Sequence, residues 1–346
     1  MPSILKKKQF WGSLIAVILL AYCLKDIRMD DLRRLLGRVD FYYLIPALAM
    51  EFAMIVFKAL RWRTIVEKTK KIRVLRVIPL FSAGQVINII MPALTGQVGR
   101  LLLFSKKEGL SKSYVFSTIV IEVLFDAVSL LIFIVLLSTA SFVFPPEYRP
   151  IGYAIAIITV LLFASLYLIL HFKERIGKFG RRVLRGRSPA LYLTLKKFAG
   201  SFTKGIEMLR YSQYFIRTLA LSLFSWVAHI LVVYFLIHAF GFELPMISAV
   251  VIMVINTVAL MIPITPGNAG TFELAVVAPL LAFKIVKSDA VLFALALHIL
   301  DLIPIFLMGM FFFRTEKVTI KEIKEEGSKE EVLEQVEMTD VMMEKK

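Results

Sequence analysis

The chain has 346 residues, of which 58% are hydrophobic and 28 are Phe, and its mean hydropathy is +0.77. That balance excludes an ordinary soluble enzyme and implies a polytopic membrane protein. The formal net charge of +16 would point to nucleic acid in a soluble chain; here Lys and Arg flank apolar runs, the pattern of membrane orientation and anionic-lipid contact, so no nucleic-acid partner is expected.

In chain order, Phe10–Leu24 follows Lys6, Lys7 and Lys8 without a small-x-small cleavage site, and reads as a retained first helix. Its Cys23 is the single cysteine, which excludes an internal disulfide and a Cys-based metal cluster. Full spans are predicted at Phe41–Leu60, Tyr114–Phe142, Ile151–His171, Phe215–Phe240 and Ala290–Phe313, each long enough for the hydrocarbon core. Two further apolar segments, Val74–Phe104 and Leu244–Phe283, are interrupted by Gly and Pro. Trp11 and Trp62 lie near predicted span ends, where indoles anchor at the interface.

The interruptions match. Pro92-Ala-Leu-Thr-Gly96-Gln-Val-Gly99 and Pro263-Ile-Thr-Pro266-Gly267-Asn268-Ala-Gly270 share the spacing P-x-x-x-G-x-x-G, offset by 263 − 92 = 171 residues. Backbone groups freed at bilayer depth must be satisfied by protein or a wet cavity, and paired breaks in two halves point to a transporter-type binding site. Asn88 and Gln85 before the first break, and Asn256 and Thr257 before the second, are placed to satisfy freed carbonyls.

Loop charge sets the sidedness. The N-terminal lysines, the basic run from Lys58 to Arg76 and the run from Lys173 to Arg210 are expected in the cytoplasm. Six full spans fit that assignment when each broken segment enters and leaves on one side, which makes the halves inverted. The expected architecture is all-α: about six transmembrane helices plus two re-entrant, broken-helix hairpins in an inverted repeat. Residues 1–172 form the first membrane repeat with its re-entrant segment at 74–104; 173–211 is a cytoplasmic basic region of amphipathic interfacial helices. Residues 212–314 form the second repeat with its segment at 244–283, and 315–346 is a charged cytoplasmic tail with no assigned function. The location is a cell (plasma or inner) membrane, multi-pass, with both termini cytoplasmic.

Arg61-Trp62-Arg63, Pro92-x3-Gly96-x3-Arg100, Glu122-x3-Asp126 and Pro263-x2-Pro266-Gly267-x2-Gly270-x2-Glu273 occur in that order. This set resembles the flippase-like membrane domain of lysylphosphatidylglycerol synthases, the UPF0104 group, over roughly Phe10 to Phe313. The chain departs from the family's usual pattern at Gln97, Val123 and Asn268. In the aminoacylating members a soluble domain follows the membrane part; none of that size follows Phe313, so the resemblance implies lipid translocation rather than aminoacyl transfer.

Candidate substrate-binding residues are Arg100, Glu273, Glu122, Asp126, Gly96, Gly99, Gly267, Gly270 and Asn268, with Pro92, Pro263 and Pro266 as structural breaks. If a half-helix begins at Arg100, its N–H groups and the guanidinium favour a phosphate; otherwise Arg100 snorkels or pairs with a carboxylate. Glu273 either caps the second half-helix or faces the cavity to bind a cationic group or a proton. Glu122 and Asp126 share a helix face, which calls for a polar partner or wet cavity, or a pair with Arg100. Glu51, Arg61, His298 and Asp301 carry lower weight, and a hydrogen-bonded structural role is the ordinary one for His298. The four His show no ligand spacing with one another or with carboxylates, so no metal or other cofactor is expected. No Walker loop or G-x-S-x-G is present, which leaves ATP hydrolysis and serine chemistry unsupported.

The function expected is a flippase moving an anionic or aminoacylated phospholipid, or a polyprenyl-phosphate-linked lipid, between leaflets through a polar cleft. Its partners are membrane lipids, with anionic phospholipid gathered on the cytoplasmic leaflet; a second copy of the chain or an envelope-synthesis enzyme are further expectations. The rivals are a membrane-embedded transferase using Glu273 or Asp126 as base, and an accessory partner in envelope lipid or glycolipid synthesis.

Overall fold

The computed structural model describes residues 8–25, 37–90, 94–139, 189–260 and 265–316, with isolated positions among 30–34 and 157–178. Within these the chain is all-α. Helix α1 is Lys8–Leu24; a 3-10 turn at Phe41–Tyr43, capped by the Asp40 carboxylate accepting from Tyr42 N–H at 3.0 Å, leads into α2, Leu44–Val66. Next come α3 (Val74–Ile90), α4 (Leu94–Glu108), α5 (Lys112–Thr139) and α6 (Pro189–Ile206). The remainder is α7 (Ser212–Ala239), α8 (Met246–Ala259), a 3-10 turn at Pro266–Asn268, α9 (Thr271–Ala282) and α10 (Lys287–Glu316).

Four described segments are long and apolar enough to cross a membrane: Phe41–Val66, Lys112–Leu136, Ser212–Ala239 and Lys287–Glu316. They match four of the six expected full spans. Helix α1, at 17 residues, rises only about 26 Å against a hydrocarbon core of about 30 Å. Ile151–His171 lies mostly outside the described residues, as do the N-terminal lysines and the tail beyond Glu316. A multi-pass α-helical membrane protein is the result.

Each broken segment forms two short helices that pack on one another, α3 against α4 and α8 against α9. The frame around them is α2 paired along its length with α7, with α10 laid against α3 and α9. The largest core cluster joins α5, α7, α8, α9 and α10 through Phe133, Leu236, Ile252, Val276, Phe293 and Leu297. A second, around Trp62, Phe81 and Phe104, holds the first broken segment. Two expectations change here. Trp62 is no interface anchor: α2 continues to Val66, so the indole is buried, lies tilted against Phe104 with ring centroids 4.3 Å apart, and donates to Thr118 Oγ1 at 3.1 Å. In the basic 173–211 region, α6 lays Phe198 and Phe202 against Phe116 of α5, so this helix seats on the bundle as well as being amphipathic.

Candidate functional site

The two P-x-x-x-G-x-x-G copies differ in conformation. Pro92 and Pro263 themselves lie outside the described residues. In the first copy α4 starts at Leu94, so Gly96 and Gly99 are helical and buried, and Arg100 falls in the second turn. A half-helix N-terminus at Arg100 is therefore corrected to one at Leu94, six residues earlier. Gly96 works by close approach: a Cβ there would sit 2.7 Å from the Asn88 carbonyl oxygen of α3.

The second copy stays outside helix until Thr271. Gly267 and Asn268 have φ of +59° and +58°, and Gly270 has φ +82° as the residue before α9. Two successive left-handed residues turn the chain sharply, which Gly and Asn tolerate best. The turn's own polar groups are met by protein: Asn268 N–H donates to Thr265 O at 3.1 Å, and Thr271 Oγ1 to Asn268 O at 2.8 Å. Pro266 opens this turn as its first residue. A Cβ on Gly270 would lie 2.5 Å from Leu19 Cβ and 3.1 Å from Ala16 O, because α1 packs over the break.

Gly270→Ala is thus expected to combine a left-handed backbone cost of about 1–2 kcal/mol with overpacking of about 1–3 kcal/mol. Gly109→Ala, at φ +62° with open space around it, should show the backbone cost alone. Thermal unfolding of both in one detergent checks the ranking.

Helix α3 packs against the 3-10 turn at Pro266–Asn268, with Ile89 Cγ2 3.6 Å from where a Gly267 Cβ would stand. Buried charge in the bundle is held in separate pairs. Glu122 and Asp126, four residues apart on α5, do not share a partner. Arg100 Nη2 donates to Glu122 Oε2 at 2.6 Å, both residues only 4% exposed, and its guanidinium is flanked by Phe81 and Phe104 at 4.8 and 5.1 Å. Asp126 instead accepts from both terminal nitrogens of Arg61 (2.5 and 3.0 Å) and from Trp226 Nε1 at 3.0 Å; Arg61 also donates to Ser222 Oγ. Arg61 is thereby raised from the lower-weight list to the centre of a three-helix network. The Arg100–Glu122 bond is single: Arg100 Nε and Glu122 Oε1 have no partner among the described residues.

Glu273, 2% exposed, takes the capping role and a second one. Its Oε2 accepts from Gly270 N–H at 2.6 Å, and its Oε1 lies 2.7 Å from His298 Nδ1. The other ring nitrogen, Nε2, is 3.0 Å from Gly267 O, and the ring stacks on Phe272 at 4.3 Å. A carbonyl only accepts, so Nε2 carries a proton. Glu273 and His298 therefore share one further proton across the 2.7 Å contact, and the pair fastens α10 to Gly267 and Gly270 of the second break.

Glu51 and Asp301 gather elsewhere, with His229, a residue that local spacing did not single out. They come from α2, α10 and α7, and one ligand atom of each lies within 4.8 Å of the others. The three are far apart in sequence and converge only through the α2–α7–α10 packing, so spacing along the chain could not bring them together.

Basic residues of the Lys58–Arg76 run converge at the ends of α3, α4 and α10. Glu108 Oε2 and Oε1 lie 2.9 Å from Lys70 and 3.0 Å from Arg76; Glu316 Oε2 lies 3.0 Å from Lys107. A cavity of about 600 Å³ opens there, lined by Lys70, Lys71, Arg73 and Arg76 among others.

Four membrane-length helices, with buried ion pairs in the bundle and two segments broken by Gly and Pro, define a polytopic α-helical membrane protein. The chain belongs to the lysylphosphatidylglycerol synthase TM region family, whose pattern matches residues 9–309. It is similar to a UPF0104 membrane protein of Pyrococcus horikoshii, 22% identical over 90% of this chain and 99% of that protein. Two others are a UPF0104 membrane protein of Methanothermobacter thermautotrophicus (22%, covering 75% and 81%) and one of Methanocaldococcus jannaschii (26%, covering 69% and 98%).

Proposed function

We propose that the protein moves a phosphate-bearing lipid between leaflets, the two broken segments acting as inverted re-entrant hairpins on either side of a polar path. The observation that carries this reading is the packing of Ile89, in the last turn before the first broken segment's interruption, on the Gly267 turn of the second, in a bundle that buries Arg100, Glu122 and Glu273. Irregular backbone at membrane depth is tolerated where protein or a wet cavity satisfies it, and paired breaks of this kind build transporter sites. Arg100 is the phosphate ligand: its one bond to Glu122 leaves Nε and an edge of the fork for a bidentate phosphate, which would displace the carboxylate. Gly96, Gly99, Gly267, Gly270 and Asn268 let the backbone approach, and Glu273 with His298 carries a proton or meets a cationic headgroup group. The basic cavity at Lys70–Arg76 gathers anionic lipid on the inner leaflet. The lipid is an anionic phospholipid or a polyprenyl phosphate, in a cell membrane with both termini inside.

The test is a leaflet assay in liposomes holding the purified chain and a trace of labelled anionic phospholipid or polyprenyl phosphate. Wild type should move label well above protein-free vesicles. The Arg100→Met/Glu122→Leu double variant, which removes both charges together, should not. Label moving at the protein-free rate with wild type, or at the wild-type rate with the double variant, would sink the reading.

A further inference from the structure

We propose that Glu51, His229 and Asp301 form a binding site for a first-row divalent metal ion of the Zn²⁺ or Mn²⁺ class within the helix bundle. Glu51 sits mid-way along α2 at 0% exposure and His229 on α7 at 8%. Neither oxygen of Glu51, neither nitrogen of His229, nor Asp301 Oδ1 has a hydrogen-bond partner. Buried polar groups are normally paired, so three such side chains from three helices, each bringing one ligand atom to within 4.8 Å of the others, call for a shared ligand. The atoms around the space fix its chemistry. Two carboxylates balance a divalent charge, and a neutral imidazole adds one nitrogen. With no thiolate, a set of one N and two O ligands suits Zn²⁺ or Mn²⁺ rather than a soft ion.

The geometry is close to that needed. His229 Nε2 lies 3.7 Å from Asp301 Oδ2, too far for a hydrogen bond. It is near the ~3.4 Å between neighbouring ligands that tetrahedral zinc requires at metal–ligand distances of about 2.0–2.2 Å. Side-chain rotation of Glu51 closes the rest of the 4.8 Å set. Asp301 is half-buried, leaving a coordination position beside it. The ion pins α10 to α2 and α7 one turn from His298, which fastens the same helix to the second break. This site does not depend on lipid movement: it stands or falls on metal binding.

The measurement uses the full chain, purified in detergent without a histidine tag, stripped with chelator and equilibrated with Zn²⁺ or Mn²⁺. Elemental analysis should find about one ion per chain, and the ion should raise the unfolding temperature. Glu51→Gln and His229→Gln should each weaken binding by at least about tenfold and lose the metal-dependent shift, while His238→Gln keeps both. Asp301→Asn serves as the second ligand test should either variant fail to purify. Wild type that holds no ion above buffer and shows no shift would overturn the site, and its charge would then be met by protons. So would ligand variants that bind as wild type does, which would mark an ion held elsewhere.

Discussion

Arg100→Ala should destabilise the detergent-solubilised protein by about 3–5 kcal/mol, the range for removing one partner of a buried ion pair. The reason is what stays behind. Glu122, with its side chain 5% exposed, has Arg100 as its one ion-pair partner among the described residues, at 2.6 Å, and Oε1 has no other donor. Truncation leaves a carboxylate in apolar surroundings and opens the slot between Phe81 and Phe104. The Arg100→Met/Glu122→Leu variant removes both charges and refills much of the volume, so it should recover most of the loss; buried pairs are often replaceable by apolar residues at little cost. Arg61→Ala should cost less, although Arg61 makes more hydrogen bonds. Asp126 keeps the Trp226 N–H, and its side chain is 32% exposed, so part of its charge is screened. Chemical or thermal unfolding of the four proteins in one detergent gives the order. Arg61→Ala proving the more damaging would place the electrostatic centre of the bundle at Asp126 instead.

The same two pairs mark how far the sequence could be read. Composition and run length are sums over many residues, and they carried the membrane class and four spans, whose ends fall within six residues of those expected. The family was legible from four motifs in order. Partner choice was not. Glu122 and Asp126 share one face of α5 by periodicity alone, but their partners lie 22 and 65 residues away in sequence, and only packing decides that each takes its own arginine. The Gly/Pro repeat shows the same limit. Equal spacing predicts equal folds, yet the first copy enters helix at Leu94 and the second not until Thr271, 177 residues on rather than 171. The close approach of Asn88 favours a helical Gly96, whereas α1 crossing over Gly270 favours a left-handed turn. Those neighbours are non-local. Glu51 and Asp301 were legible one by one, but their gathering with His229 was not, for the same reason: ligand-spacing rules recognise residues one or two turns apart, and this constellation spans three helices.

Glu273→Ala and Glu273→Gln should separate structure from transport at the second break. The alanine variant loses the bond to Gly270 N–H at 2.6 Å and leaves His298 Nδ1 without its partner. Hydrogen bonds to charged groups contribute about 1.5–3 kcal/mol, so the loss should be about 2–4 kcal/mol, read as a lower unfolding temperature. Glutamine keeps the shape. Its amide oxygen still accepts from Gly270 and its amide nitrogen donates to a neutral His298 Nδ1, while Nε2 continues to donate to Gly267 O. Stability should then stay within about 1 kcal/mol of wild type, a net of one exchanged hydrogen bond. What glutamine cannot do is hold the shared proton or exchange it for a cation, so lipid movement in the leaflet assay should stall in a protein that is otherwise folded. Glu273→Gln moving lipid at the wild-type rate would confine the Glu273–His298 pair to fastening α10 onto the break. A glutamine variant as unstable as the alanine one would show that the pair is a carboxylate–imidazolium ion pair, whose charge itself holds the turn closed.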